Sequence, residues 1–269
     1  MYFCGMKVKI RIWLLCVVLS CPPTQAAEEW LTSDARAFSL GQLHALSDEL
    51  LNPAQMAIAN RREAGLSVYN RFQMSELNTA GLYAKLPNQW LDAAAKLTAF
   101  GYNDYQIIAG QASFAKKIFA DFAIGLNLAV INENSVLAEA SQTHFTTGLG
   151  AFWRYNSQFD WTVLIENIVH NVPKDDLLQM FGGCSYKPLA FASVLLEANY
   201  NKRAHFNLSI GLEYEILKQF TIRSGIMTRT STPSFGIGYQ WNSWQADVGF
   251  SLHPELGISS MIGIRTTFL

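Results

Sequence analysis

Two residues of the chain, His205 and Ser209, have the types needed for a hydrolytic site. A serine nucleophile requires a histidine within hydrogen-bonding distance and a third group that orients the histidine. Both lie in one stretch with strand periodicity, so they point to the same side but stand about 13 Å apart at roughly 3.3 Å per residue. They cannot form a catalytic pair, and the sequence predicts no enzymatic activity.

The remaining histidines do not indicate a metal centre. His144, His170 and His253 stand near the ends of predicted strands. None has the cysteine or carboxylate spacing that a metal site requires. We therefore expect neither a metal nor a cofactor.

Charged residues in the last third of the chain form the candidate binding set. They are Glu213, Glu215, Arg223, Arg229, Asp247 and Arg265. Two interpretations are open. Either these charges neutralise one another inside a barrel and hold a segment of the chain in its lumen, or they form a ligand or proton path in which the carboxylate of a substrate meets Arg223 and Arg265.

The elements that carry these charges have strand periodicity. From Phe206 to Ile216 every second residue is apolar, with small or polar residues between, which is a period of two. The pattern recurs in the stretches 220–226, 235–241, 244–252 and 258–268. The apolar face is wide and aromatic, whereas the other carries charges among glycines. A transmembrane barrel turns the apolar band outward and keeps charge in its lumen, so we predict an all-β, antiparallel transmembrane β-barrel.

The barrel is predicted to span residues 61–269 with fourteen strands. The number falls to twelve if the weakly alternating stretches 90–101 and 105–116 are not strands. Short and longer connections alternate, and with an even count both termini lie in the periplasm. Aromatic residues beside the short turns are expected to form the inner membrane girdle: Trp153, Tyr155, Trp161, Trp241, Trp244 and Phe268.

The amino-terminal region predicts export. Residues 1–26 combine a basic stretch, an apolar core and small residues before a cleavage site, as in a signal peptide. The sequence before Cys21 also resembles a lipoprotein cleavage box, which leaves lipidation open. Residues 27–60 are predicted to form a short helical segment between the signal peptide and the first strand, with a helix starting at Asn52 and Pro53. We expect the cell outer membrane as destination.

Composition limits the partners. The chain has 269 residues, of which 50% are hydrophobic and 15% charged, with a formal net charge of −1. A nucleic-acid-binding protein would need a clustered basic surface, which is absent here. Outer-membrane lipid is the expected surrounding.

Short motifs follow one another along the chain: Arg36, Gly41, Asp48, Asn52 and Pro53 in the amino-terminal segment, then Glu166-Asn167, Gly211 to Tyr214, Ile222 to Gly225, Asp247 and His253 to Gly257 in the barrel. Together they resemble, in order, those of the PorV/PorQ-type outer-membrane proteins of Bacteroidetes, relatives of the long-chain fatty-acid transporter barrels. The resemblance implies a fourteen-stranded barrel whose amino-terminal segment, residues 27–60, lies in the lumen as a plug, so we call the first five residues the plug motif. It also implies no catalysis, and for some members partners from the type IX secretion system or its exported cargo.

Three functions are therefore weighed: a secretion-associated or partner-binding barrel, a transporter of a small hydrophobic ligand, and a monomeric structural barrel. A transporter needs a continuous apolar lining, but Leu164, Ile168 and Met227 are the only bulky apolar residues predicted to point inward. So sparse a lining favours the first function. The outer turn containing His253, Pro254 and Gly257 is either simple hairpin geometry or a partner-docking loop.

Overall fold

The computed structural model describes residues 34–136, 140–171, 178–201 and 205–268. The predicted signal peptide, Cys21 and the first residues of the predicted plug segment lie outside these ranges. Across the described residues, the helices are all too short or too polar to cross a membrane.

Fourteen antiparallel strands form a closed barrel in which each strand pairs with its neighbours in the chain and β14 pairs with β1. The strands are β1 Arg62–Asn70, β2 Asn78–Leu86, β3 Asp92–Tyr102, β4 Tyr105–Phe119, β5 Phe122–Ser135, β6 Ala140–Arg154, β7 Phe159–His170, β8 Gln179–Leu189, β9 Ala192–Asn201, β10 His205–Leu217, β11 Phe220–Met227, β12 Thr232–Trp241, β13 Trp244–His253 and β14 Gly257–Phe268. The prediction of fourteen strands is confirmed, and both weakly alternating stretches are strands.

Alternation places the two faces as predicted. Apolar residues such as Leu82, Leu97 and Ile237 are exposed on the outside, while their neighbours in the chain point into the lumen. The predicted girdle residues, including Trp153 and Trp241, are exposed as well. An outward apolar band with aromatic residues at its edge is the lipid-facing surface of a transmembrane barrel.

The two ends of the barrel differ. One, which we call the short-turn end, holds the start of β1, the end of β14 and tight connections such as 120–121, 190–191, 218–219 and 242–243. The other, the loop end, holds longer connections, including 71–77 with a short 3-10 helix at Ser75–Leu77. These two ends define the position of a residue along the lumen.

Residues 34–60 fold inside the barrel as a plug with two short helices, α1 (Ala35–Ser39) and α2 (Pro53–Ala59). The α2 helix starts as predicted: the Asn52 side chain accepts a hydrogen bond from the backbone N–H of Ala54, and proline occupies the first turn. It ends at Asn60, whose φ of 46° is left-handed. Apolar plug residues pack in clusters against the wall.

Glycines in the strands make room for the plug backbone. A Cβ atom added to Gly225 would lie 2.2 Å from the carbonyl carbon of Leu40 and 2.3 Å from the nitrogen of Gly41. One added to Gly125 would lie 2.7 Å from the nitrogen of Ala54. Neither distance can be relieved by a side-chain rotation, because the plug atoms belong to the main chain. These lumenal positions therefore require glycine.

Candidate functional site: the lumen around the plug

Four of the six predicted lumenal charges meet in one network at the short-turn end. Arg223 donates to Glu213 through Nε and to Asp247 through Nη1, each at 2.6 Å, and its side chain is almost completely buried. Arg265 Nη2 lies 3.4 Å from the second oxygen of Asp247. Charges of opposite sign alternate along this chain of contacts, which keeps the buried carboxylates paired.

The plug belongs to the same network, which the sequence did not predict. Arg36 donates to both carboxylate oxygens of Glu213, at 2.9 and 3.0 Å. Asp34 accepts from Arg265 at 3.2 Å. A two-bond arginine–carboxylate contact is strong and directional, so these pairs fix the start of the plug to β10 and β14. We call the six residues Asp34, Arg36, Glu213, Arg223, Asp247 and Arg265 the ion network.

The other two predicted members do not join the ion network. Arg229 follows β11 near the loop end, where its backbone N–H donates to the side chain of Asn207 at 3.0 Å. Alternation along a strand predicts the side that a residue faces but not its height in the barrel. Glu215 is inward and lines the cavity at the short-turn end. Its carboxylate has no ion pair with any residue in the described part of the chain, because it lies closer to the barrel rim.

A second group of charges, missed by the sequence analysis, lies across the same cavity. Lys85 contacts Glu49 of the plug and Glu63 of β1, each at 2.7 Å, and Arg61 contacts the same two carboxylates. The alternation of β1 and β2 predicts that Glu63 and Lys85 point inward, which was the available signal. Together with Asp34, Arg36, Glu213, Arg223 and Arg265 of the ion network they line a polar cavity of about 300 Å³.

Burial affects the two charged residues at the start of the plug in opposite ways. Burial and the nearby Asp48 carboxylate raise the pKa of Asp34 to about 6, although Arg265 opposes the shift. Burial lowers the pKa of Arg36, but Glu213 more than compensates, so that its pKa is raised overall. Arg36 is therefore a permanent cation in this contact, whereas Asp34 takes up a proton in mildly acidic conditions.

A single wall residue, Glu197 of β9, holds the middle of the plug. Its carboxylate accepts three backbone hydrogen bonds, from His44 at 2.9 Å, Ala45 at 2.8 Å and Leu46 at 3.0 Å. The residue is only 1% exposed. Bonds from N–H groups to a buried charge are stronger than neutral ones. Its inward position on β9 was the only sequence signal for this role.

The residues of the plug motif all stabilise the plug. Gly41 has a φ of 84° and donates its N–H to Ser234 at 2.8 Å. Asp48 accepts from the backbone of Leu50 at 2.8 Å, which closes the turn before α2. Asn52 donates to Thr162 of the wall, besides capping the α2 helix that Pro53 begins. Apart from Arg36, which belongs to the ion network, the motif is thus a set of turn and cap positions.

The outer turn has the geometry of a hairpin closed by its own side chain. His253 accepts through Nδ1 from the N–H groups of Glu255 and Leu256, each at 3.2 Å. Gly257 has a φ of 90°, which suits glycine. Pro254 supplies the bend between them. Hairpin geometry accounts for these residues; docking of a partner stays a prediction.

The apolar lining of the lumen is more extensive than the sequence suggested. Leu164 is fully buried against the plug, as predicted, and Met227 is inward. Ile168 is 40% exposed, because Asn167 has a φ of 58° and the register with β6 shifts there. The period-two count therefore fails in this part of β7.

Near the loop end, β3 to β5 carry an apolar surface inside the barrel. Ile107, Ala109 and Ile131 are buried there, and Phe100 and Tyr105 pack against them. We call these five residues the apolar wall. It lies on the opposite side of the plug from the polar cavity and the ion network.

Substituting Arg223 by methionine is expected to lower the free energy of unfolding by about 3 kcal/mol, because it leaves two buried carboxylates with one cation fewer each. Glu213 keeps Arg36 and Asp247 keeps Arg265, so we expect the lower end of the range for a broken buried pair. The shift in the temperature at which the barrel unfolds on semi-native gels measures this. An unaltered unfolding temperature would mean that the network does not stabilise the barrel.

In the described ranges, no group of three or more His, Cys, Asp or Glu residues is arranged to hold a metal ion. The features assembled here, a closed fourteen-strand barrel, a plug held by ion pairs and an apolar wall, define a plugged transmembrane barrel. No family model matches the chain, and no curated protein matches it either.

Solved structures show where this fold occurs. The deltaS2S3 mutant of TodX, a monoaromatic hydrocarbon channel, gives a TM-score of 0.67 at 11% identity over 89% of this chain and 100% of its own. A Pseudomonas aeruginosa FadL homologue gives 0.65 at 12% identity over 88% and 98%. The P. putida toluene transporter TodX gives 0.63 at 10% identity over 89% and 99%. At these identities the likeness establishes a shared fold.

Proposed function

We propose that the protein lies in the outer membrane, with its short-turn end in the periplasm, and admits small hydrophobic molecules. The observation that carries this proposal is the apolar wall. The lumen of a water-filled porin is polar, because it must hydrate its solutes. Buried isoleucines inside a barrel instead offer a surface that matches an apolar ligand.

The position of the plug indicates how passage is controlled. The apolar wall lies towards the loop end, the ion network lies at the short-turn end, and the plug separates them. Plug residues fill the lumen against the wall glycines, so a ligand has to wait for the plug to move. Such a movement must break the contacts that the plug makes with Glu197 and with the wall residues of the ion network.

The comparisons support transport better than secretion. Solved barrels of this fold are described as a hydrocarbon channel and a toluene transporter. The secretion-associated role follows only from the sequence resemblance. It was favoured because few apolar residues were predicted to point inward, whereas the structure has the apolar wall inside the barrel. Partners from a secretion system therefore stay a prediction, which a pull-down from native membranes checks.

Uptake into cells tests the proposal. We expect cells that make the protein to accumulate labelled toluene faster than cells with an empty vector, and a hydrophilic sugar at the same rate as those cells. Equal acceleration of both solutes would indicate an open porin. If the uptake of neither toluene nor a long-chain fatty acid were faster than in cells with the empty vector, transport would be refuted.

A pair of variants on one strand locates the path. Ala109→Phe fills the apolar wall and is expected to reduce the uptake to the level of the empty vector. Ala112→Phe adds the same side chain to the lipid-facing side of β4 and is expected to leave uptake unchanged. Semi-native gels verify that both barrels fold. Full uptake by folded Ala109→Phe would place the path elsewhere.

A further inference from the structure

Four polar side chains of the lumen are buried but have no hydrogen-bond partner at one of their atoms. The atoms are the hydroxyl oxygens of Thr79 and Thr98, Oε1 of Gln111 and Oδ1 of Asn127. All four residues are at least nine-tenths buried. An unpaired buried polar atom costs about 1–3 kcal/mol, and native proteins keep few of them. Four in one region therefore require an explanation.

The four residues follow one another on consecutive strands, and we call them the polar row. Thr79 of β2 pairs with Phe100 of β3, next to the inward position of Thr98. Thr98 pairs with Ala109 of β4, and Gln111 is the next inward residue. Gln111 pairs in turn with Ala129 of β5, one inward position from Asn127. Such diagonal neighbours are about 7–8 Å apart.

The plug fixes how the two amides of the polar row are oriented. Gln111 Nε2 donates to the carbonyl of Leu50 at 2.6 Å and to Ser113 at 2.9 Å. Asn127 Nδ2 donates to the carbonyl of Leu51 at 2.6 Å. Only an NH₂ group can face a carbonyl oxygen, so the unpaired atoms are the amide oxygens, which are acceptors.

The polar row borders the apolar wall. Thr79 lies opposite Phe100, and Thr98 lies opposite Ala109. This part of the barrel interior therefore combines buried apolar side chains with hydroxyls and bare acceptors along one edge. The inward cation beside it, Lys96, is already engaged in another interaction.

We propose that the polar row and the apolar wall together bind an uncharged amphiphile with a hydroxyl head, such as a phenol or an alcohol. This inference rests on the proposed transport and narrows its substrate class. The hydroxyl donates to an amide oxygen and accepts from a threonine, while the apolar body lies on the wall. A hydrocarbon leaves the row unpaired, and a carboxylate has no hydrogen to give to the amide oxygens.

Three ligands of matched shape test this class: p-cresol, toluene and p-toluate. Calorimetric titration into the protein held in amphipol measures their affinities. We expect p-cresol to bind about tenfold more tightly than toluene, which is the effect of one or two added hydrogen bonds, and p-toluate to bind most weakly. Tightest binding by p-toluate would overturn the proposal.

A variant that leaves the plug contacts intact tests whether the polar row causes the preference for p-cresol over toluene. Thr79→Val with Thr98→Val removes two hydroxyls that have no partner, so the unfolding temperature is not expected to fall. The preference for p-cresol is expected to shrink to about twofold or less, with toluene affinity unchanged. Thr221→Val, a lumenal threonine beside the polar cavity, is the matched control and should retain the preference.

The outcomes separate this inference from the proposed function. Equal binding of toluene and p-cresol, together with toluene uptake by cells, would leave transport standing and refute the hydroxyl preference. A preference that survives in the double valine variant would refute the role of the row. Absence of binding and of uptake would refute both.

Discussion

Glu197→Ala is expected to destabilise the folded barrel by about 3 kcal/mol or more. Its carboxylate accepts the N–H groups of three consecutive plug residues, His44, Ala45 and Leu46. Without it, three buried donors have no acceptor, at about 1–3 kcal/mol each. Removing a buried charge recovers some desolvation energy, but a single carboxylate cannot offset three orphaned donors.

Urea unfolding in detergent, followed by the shift of the barrel on semi-native gels, measures the Glu197 effect. Glu197→Gln retains one acceptor oxygen and is expected to fall between wild type and Glu197→Ala. Glu215→Ala removes an inward carboxylate without a described ion pair and is the matched control, expected to stay within about 0.5 kcal/mol of wild type. A Glu197→Ala barrel as stable as this control would contradict the proposed anchor.

Local alternation predicted the barrel and the faces of its strands. The period of two in β10 to β14 placed Glu213, Arg223, Asp247 and Arg265 inside, because each side chain of a strand points opposite to the next. Asn52 and Pro53 likewise predicted the start of α2, because a cap is a local property. These features depend on residues close in sequence, and the sequence contains them fully.

Contacts between the plug and the wall could not be predicted in the same way. Arg36 meets Glu213 across 177 positions, and only the closed barrel and the path of the plug bring them together. Ile168 shows the complementary failure, since the left-handed Asn167 shifts the phase of β7 without any warning in the alternation. The apolar wall could have been predicted once residues 105–116 were assigned to a strand, because that assignment turns Ile107 and Ala109 inward. The alternation there is too weak to show this directly.

The glycines show how a residue of the barrel wall is fitted to the plug that it contacts. In a strand, glycine is unfavourable because it adds no packing and loses more entropy on folding. Gly225 nevertheless lies in the middle of β11, where the backbone of Leu40 and Gly41 touches the wall. The cost in the strand is offset by a main-chain contact that no larger residue permits.

Gly225→Ala is therefore expected to unseat the plug while the barrel still forms. The added Cβ atom would lie 2.2 Å from the carbonyl carbon of Leu40, and no rotamer change relieves a clash with main-chain atoms. Because the barrel strands tolerate alanine, the plug is the element that moves, and the lumen it fills becomes accessible to water and ions. In planar bilayers we expect wild-type protein to be nearly silent and Gly225→Ala to give stable conductance steps.

Gly182→Ala separates an effect on the plug from an effect on the strands. Gly182 is a glycine of β8 with no atom within 4 Å of the added Cβ, so its substitution changes strand propensity without touching the plug. We expect this variant to stay as silent as wild type. If both variants conducted, strand destabilisation would explain the leak; if neither did, the plug would not depend on its contact with β11. Conductance by Gly225→Ala alone would establish that the seated plug is what closes the barrel.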